Sequence, residues 1–142
     1  MKPETFGEKI VGANWDGNIT FLQNAVNEGI LNPLETTSIE KWNYLHRANL
    51  INSSPKETIE FYIQHQVPIN AQDCYGMTPL HYAVRSGNYD AVQVLLEAGA
   101  NPNIENQDGS IPLDLGFKLP VNYDLIELLL KKGSDIHHQV NG

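Results

Sequence analysis

One stretch, Asp73 to Glu105, reads DCYGMTPLHYAVRSGNYDAVQVLLEAGANPNIE and constrains the fold more than any other part of the chain. It opens on a turn signal at Tyr75-Gly76. Thr78 stands where a helix N-cap belongs, and Pro79 follows in the first turn, where a missing N–H costs nothing. Leu80, Ala83 and Val84 give a short apolar stripe, and Gly87 is the expected stop. Val92, Leu95 and Leu96 then mark one face of a second helix, which Gly99 ends before Asn101-Pro102-Asn103 leads out. Neither helix is long enough to be stable alone, so each needs a neighbour for its apolar face.

The run Thr78-Pro79-Leu80-His81-x-Ala83, at a period of 33 residues, resembles the ankyrin repeat. Related units are legible on both sides. Shifting back 70 residues places Ala13 on Ala83, Leu22 on Val92, Ala25-Val26 on Leu95-Leu96 and Gly29 on Gly99. Helices are predicted there over about 5–14 and 18–27. The Thr-Pro-Leu-His run is missing from this first unit, as suits the end of a stack whose outer face meets water.

In the second unit Asn43-Tyr44-Leu45-His46-Arg47-Ala48 occupies the place of Thr78 to Ala83, with Asn43 as cap. Ile59, Tyr62 and Ile63 match Val92, Leu95 and Leu96. The first half is offset by 35 residues and the second by 33, so the loop near Ile51–Pro55 carries two extra residues. In the fourth unit Ile111-Pro112-Leu113-Asp114 replaces Thr-Pro-Leu-His, and Gly116 and Pro120 shorten its first helix. Its second helix, expected over about Asn122–Lys132, is the clearest in the chain, with Leu125, Ile126, Leu128, Leu129 and Leu130 apolar and Lys131 and Lys132 in its last turn, where cations suit the helix dipole.

The resemblance implies an all-α ankyrin-repeat solenoid of four helix-turn-helix units with hairpin-like turns and atypical first and last units. The units span about 5–34, 38–72, 73–105 and 106–136, followed by a frayed tail over 137–142. Four units with degenerate ends read as a complete small protein. Leu22, Ile59, Leu95 and Ile126 are expected at equivalent inward positions in successive layers.

Little in the chain points to chemistry. Cys74 is the lone cysteine, so there is no disulfide framework and no cysteine-based zinc site. It also lacks the base and orienting group of a nucleophile. His46 and His81 share one repeat position, and the resemblance implies a structural role, bonding between adjacent turns. His65 sits near a helix end. His137-His138 has no further ligand at metal spacing and reads as solvated tail. Carboxylate pairs such as Glu57/Glu60 and Asp124/Glu127 lie near helix starts, where the dipole favours them. The turns at Asp73–Gly76 and Asn106–Gly109 lack the remaining oxygen ligands of a calcium loop. No cofactor or metal is expected, and an enzyme is disfavoured.

No apolar run approaches the ~18 residues of a membrane span, and no secretory signal is visible, so a cytoplasmic location is expected. A net charge of −8 argues against general nucleic-acid binding and is compatible with a basic partner.

Function is therefore expected at a surface. In ankyrin proteins the turn tips and first helices line a concave face that grips a protein partner. The positions this implies are Trp15 and Asp16 in the first unit, and Ile39, Glu40, Trp42 and Arg47 in the second. The third supplies Cys74, Tyr75, Met77, Tyr82, Arg85 and Ser86, and the fourth Gln107, Asp108 and Ser110. Trp, Tyr and Arg are the residue types that dominate interface hot spots. Trp15 and Trp42 have an equal claim to be filling gaps left by irregular repeats. Glu35, Glu40, Asp73, Glu105 and Asp108 against Lys41 make an acidic rim that would speed capture of a basic partner. Short, acidic ankyrin chains of this kind resemble the immunity proteins that bacteria encode beside secreted toxins, which implies a basic toxin domain such as a nuclease as partner. The alternative is a general adaptor or regulatory subunit using the same face.

Overall fold

A computed structural model describes residues 5–117 and 120–138. Among these residues there are seven α-helices, one 3-10 helix and no strand: α1 (Phe6–Asp16), α2 (Ile19–Asn27), α3 (Tyr44–Arg47), α4 (Lys56–Gln64), α5 (Pro79–Arg85), α6 (Tyr89–Glu97), the 3-10 helix Pro112–Phe117 and α7 (Tyr123–Lys131). They pack as successive pairs, α1 with α2, α3 with α4, α5 with α6, and the 3-10 helix with α7. Neighbouring pairs touch along two rows, α3–α5–3-10 and α2–α4–α6–α7. This is the all-helical ankyrin solenoid the sequence implies.

The helix starts follow from small polar caps. Thr5, Asn18, Asn43, Thr78, Asn88 and Asn122 each accept a backbone N–H from three residues on. Only α4 begins without such a bond, behind Pro55. The core is a single cluster running through every pair, with Leu22, Ile59, Val92 and Leu95 fully buried.

The expected layer is corrected at two of its positions, in α6 and in α7. Ile126 is only half-buried, and Leu125 and Leu129 turn inward instead. Ile126 keeps the register of Leu22, Ile59 and Val92, each four residues after its cap, whereas Leu95 stands one turn further along α6, level with Leu129. Ile126 covers Gly116, where a Cβ would stand 2.7 Å from the Ile126 Cδ1. A glycine there, in place of Ala83 one unit earlier, lets α7 approach and leaves the unit's first helix as a short 3-10 segment.

Histidines link one turn to the next. His46 Nδ1 accepts the Asn43 N–H at 3.0 Å, so Nε2 carries the proton and donates to Ala71 O at 2.8 Å and Met77 O at 3.0 Å. His81 repeats the device, accepting from Thr78 N at 3.0 Å and donating to Ser110 O at 2.8 Å. Burial holds both imidazoles below their ordinary pKa, which keeps them neutral for this role.

Asp114, which replaces the histidine in the last pair, keeps half of the function by accepting the Ile111 N–H at 2.8 Å. The other half is supplied from a segment expected to fray. Asn103 holds Asp135 N at 2.9 Å and Gly133 O at 2.9 Å, and His138 Nε2 donates to Gly109 O at 2.7 Å. His138 is therefore docked on the last turn rather than solvated, while residues 139–142 of the expected tail lie outside the described ones.

Candidate functional site: the concave face

Consecutive turns are joined at their tips. Cys74 N donates to Glu40 O at 2.8 Å, and Gln107 N donates to Tyr75 O at 3.0 Å. The Gln107 side chain adds a bond to Cys74 O at 2.6 Å. Gly76 is required at this junction: its φ is +75°, and a Cβ there would lie 2.9 Å from Gln107 N. These bonds hold the tips beside the ends of α3, α5 and the 3-10 helix.

Two hollows open along the resulting wall. The larger, ≈ 490 Å³, is lined by Trp42, Leu50, Ile51, Tyr75, Met77, Tyr82, Arg85, Asn106 and Asp108. The smaller, ≈ 160 Å³, is lined by Val11, Asn14, Trp15, Tyr44, Arg47, Ala48, Leu50, Ile51, Ser54, Thr58 and Tyr62. Leu50 and Ile51 belong to both and form the ridge between them.

The floor of the larger hollow is set by one carboxylate. Asp73 is buried; its Oδ1 accepts the N–H groups of Tyr75 at 2.9 Å and Met77 at 2.8 Å. Its Oδ2 accepts from Trp42 Nε1 at 2.8 Å and from the Tyr82 hydroxyl. Burial, then the bond to Asp73, pushes the Tyr82 phenol well above its ordinary pKa, so it remains a donor. The Arg85 guanidinium lies over the Tyr82 ring, 4.8 Å from its centre, and the side chain is exposed. In the smaller hollow Arg47 lies 4.5 Å over the Tyr44 ring and 3.9 Å from Glu35. Burial and the hydrogen bond to Glu35, at 2.7 Å, push the Tyr44 phenol up to about 12. Tyr62, stacked on Tyr44, donates to Asn14 Oδ1 at 2.6 Å and ties α4 to the end of α1.

Of the residues expected to meet a partner, Trp42, Tyr75, Met77, Tyr82, Arg85 and Asp108 gather in the larger hollow and Trp15 and Arg47 in the smaller. Met77 and Tyr82 are 7% and 2% exposed, so they form floor rather than contact surface. Trp42 is half-buried and hydrogen-bonded, and Trp15 is 45% exposed. Asp16, Ile39, Glu40, Cys74, Ser86, Gln107 and Ser110 line neither hollow. The Ser110 carbonyl serves His81, and Gln107 bridges the tips.

Leu50 and Ile51 were not anticipated, although Ile51 is the most exposed large apolar residue described, at 89%. The available signal was the two-residue insertion at that loop. Asn88 Nδ2 fixes the loop by donating to Asn49 Oδ1 and Ser54 O, both at 2.9 Å. Among the described residues no group of three or more His, Cys, Asp and Glu could hold a metal ion, and no helix is long and apolar enough to cross a membrane.

Comparison with known proteins agrees with this geometry. Residues 11–106 and 45–140 match the family described as ankyrin repeats (3 copies). Over 83 residues, 58% of this chain and 7% of the relative, the sequence is 40% identical to a transient receptor potential cation channel subfamily A member 1 homolog of Caenorhabditis elegans. It is 46% identical over 57 residues to an ankyrin repeat-containing protein of Schizosaccharomyces pombe, covering 40% of this chain and 28% of that one. A putative ankyrin repeat protein of Rickettsia bellii is 38% identical over 66 residues, 43% of this chain and 39% of its own. The chain thus covers well under two thirds of each of these relatives. With the family matched over most of its length, and with helix pairs, turn-linking histidines and a concave wall in place, the chain belongs to the ankyrin-repeat family, whose members are generally non-catalytic protein-interaction modules.

Proposed function

We propose that this chain is a non-enzymatic binding protein, needing no cofactor, that takes its protein partner against the larger hollow of the concave face. One observation carries the reading. Trp42, Leu50, Ile51 and Tyr75 present apolar surface in a single ≈ 490 Å³ hollow with Arg85 and Asp108 at its margin. An apolar centre ringed by polar groups is the anatomy of a protein-binding patch, with aromatic residues and Arg as its anchors. Trp15 and Arg47 extend the surface past the Ile51 ridge.

The partner's identity has two readings. The chain's charge of −8 favours a basic partner, and with it an immunity protein that neutralises a toxin in the cytoplasm. A general adaptor or regulatory subunit that binds a cellular protein draws equal support from the relatives, which include a channel homolog as well as ankyrin proteins.

The test is quantitative affinity capture from the native host with the wild-type chain and with Ile51→Asp and Tyr75→Ala. A protein retained by the wild type and lost with both variants supports the concave-face reading. Equal retention by all three overturns it. Co-expression with the product of the neighbouring gene then separates the roles, since toxicity relieved by this chain would mark an immunity protein and its absence an adaptor.

A further inference from the structure

Four residues that line the smaller hollow carry hydroxyl groups, and three of those groups are already bonded. Tyr44 donates to Glu35 at 2.7 Å, Tyr62 to Asn14 Oδ1 at 2.6 Å and Thr58 to Asn14 O at 2.6 Å. The fourth belongs to Ser54, which is 2% exposed and whose Oγ has no hydrogen-bond partner among the described residues. Its backbone is fixed on both sides. Ser54 N donates to Ala48 O at 3.0 Å, and Ser54 O accepts from Asn88 Nδ2 at 2.9 Å. The lengthened loop that raises the Ile51 ridge therefore also holds this hydroxyl in place. A buried hydroxyl without a partner costs free energy, so one in the wall of a hollow points to a polar atom supplied from outside.

Size and charge narrow the occupant. An apolar cavity of about 150 Å³ accommodates one benzene ring, and this hollow measures ≈ 160 Å³. Trp15, Leu50, Ile51 and Val11 give it apolar walls. Arg47 is the one charged residue in the lining, and Glu35 stands 3.9 Å from it. An incoming ammonium or guanidinium group would face Arg47 with no carboxylate in the lining. An incoming carboxylate would compete with Glu35 for the same guanidinium and lose its own hydration. A neutral ring bearing one hydroxyl meets neither cost, because a phenol can both donate to and accept from Ser54 Oγ.

We propose that the smaller hollow is a subsite for one tyrosine side chain of the protein partner, its ring against Trp15 and Ile51 and its hydroxyl bonded to Ser54 Oγ. The proposal rests on the reading that the concave face takes a protein. It adds a fixed point across the ridge from the larger hollow, so a partner that fills both must present a tyrosine there. A tyrosine seated in a small desolvated pocket, with its hydroxyl satisfied, has the properties of a binding hot spot.

Titration of the isotope-labelled full chain with 4-methylphenol, which is the tyrosine side chain alone, tests the subsite by NMR with no partner present. Saturable shifts are expected at the Trp15 indole and at the Val11 and Ser54 amides, with the Trp42 indole and the Tyr75 amide unmoved. Toluene is expected to bind ~3–10-fold more weakly, and Ser54→Ala to erase that difference while leaving the fold at least as stable. In the capture experiment the same substitution is expected to weaken retention of the partner by ~3–10-fold. Absence of saturation, shifts centred on Trp42, or equal binding of toluene overturns the proposal. So does a preference for the phenol that survives in Ser54→Ala, and so does partner retention that Ser54→Ala leaves unchanged, which would assign the site to a free phenol. A saturable phenol site with no partner captured would overturn the concave-face reading and not the site.

Discussion

The indole N–H of Trp42 meets the buried carboxylate of Asp73 at 2.8 Å, which makes a wall of the larger hollow part of the stability of two adjacent turns. Trp42→Ala removes that donor and leaves Asp73 dependent on Tyr82 and two backbone N–H groups. Loss of one charge-assisted bond and of half-buried aromatic surface is expected to cost ~2–3 kcal/mol in urea unfolding. Tyr75→Ala, at a residue 54% exposed, is expected to stay within ~0.5 kcal/mol of wild type. Equal stability of the two variants would show that Trp42 is contact surface alone.

Lys41 and Gln66 adopt left-handed backbone, each at φ 64°. Their counterparts one unit later are Gly76 and Gly99, both at positive φ. An L side chain in that region costs ~1–2 kcal/mol, partly offset by the greater freedom of glycine in the unfolded chain. Lys41→Gly and Gln66→Gly are each expected to raise the unfolding free energy by ~0.5–1 kcal/mol. A decrease would mean that the side chains contribute contacts exceeding the strain.

Leu95 is fully buried in α6, between α4 and α7, in the middle of the continuous core. Leu95→Ala is expected to cost ~2–5 kcal/mol through the cavity it leaves. Leu130→Ala, at a half-buried position of the last helix, is expected to cost less than half as much. Chemical denaturation of both variants checks the ranking, and the reverse order would contradict the layer assignment.

Burial lowers the pKa of His46 and His81, so below the ordinary histidine value of about 6.5 the unfolded chain takes up protons more readily than the folded one. Their contribution to stability is complete above that pH and is lost as pH falls through the folded values. His138 runs the other way. Its hydrogen bond to Gly109 O, assisted by Asp114 and Glu105, raises its pKa, so its contribution is present at acidic pH and fades as pH rises. Unfolding free energy is expected to fall between about pH 7 and 5.5, and to fall more steeply in His138→Gln, which lacks the opposing group. An unchanged slope in that variant would show that His138 gains nothing from its docked position.

Most of the fold was legible because the repeat writes the same physical solution several times. Thr78 and Asn43 announce helix starts by themselves, and Gly116 with Pro120 announces a short first helix in the last pair. What escaped sequence reading was set by contacts distant in the chain. Nothing local at His138 tells that Gly109 waits for it, and nothing at Tyr82 tells that Asp73 and Trp42 close over its hydroxyl. The ridge at Ile51 was legible only as a length difference, because an insertion marks where the chain departs from the repeat and carries no record of where it points. Ile126 shares the register of Leu22, Ile59 and Val92, and its partial exposure follows from a seat over Gly116 that nothing local announces, whereas Leu95 belongs one turn further along its helix.

The bonds from His46 to Ala71 and Met77 span 25 and 31 residues, always forward along the chain. His81 likewise reaches 29 residues ahead to Ser110. During synthesis each imidazole therefore leaves the ribosome well before the carbonyls that satisfy it. A nascent segment cut short of Ala71 has the second unit's helices in hand but neither acceptor of His46, so consolidation trails elongation by about one unit until the final turn emerges.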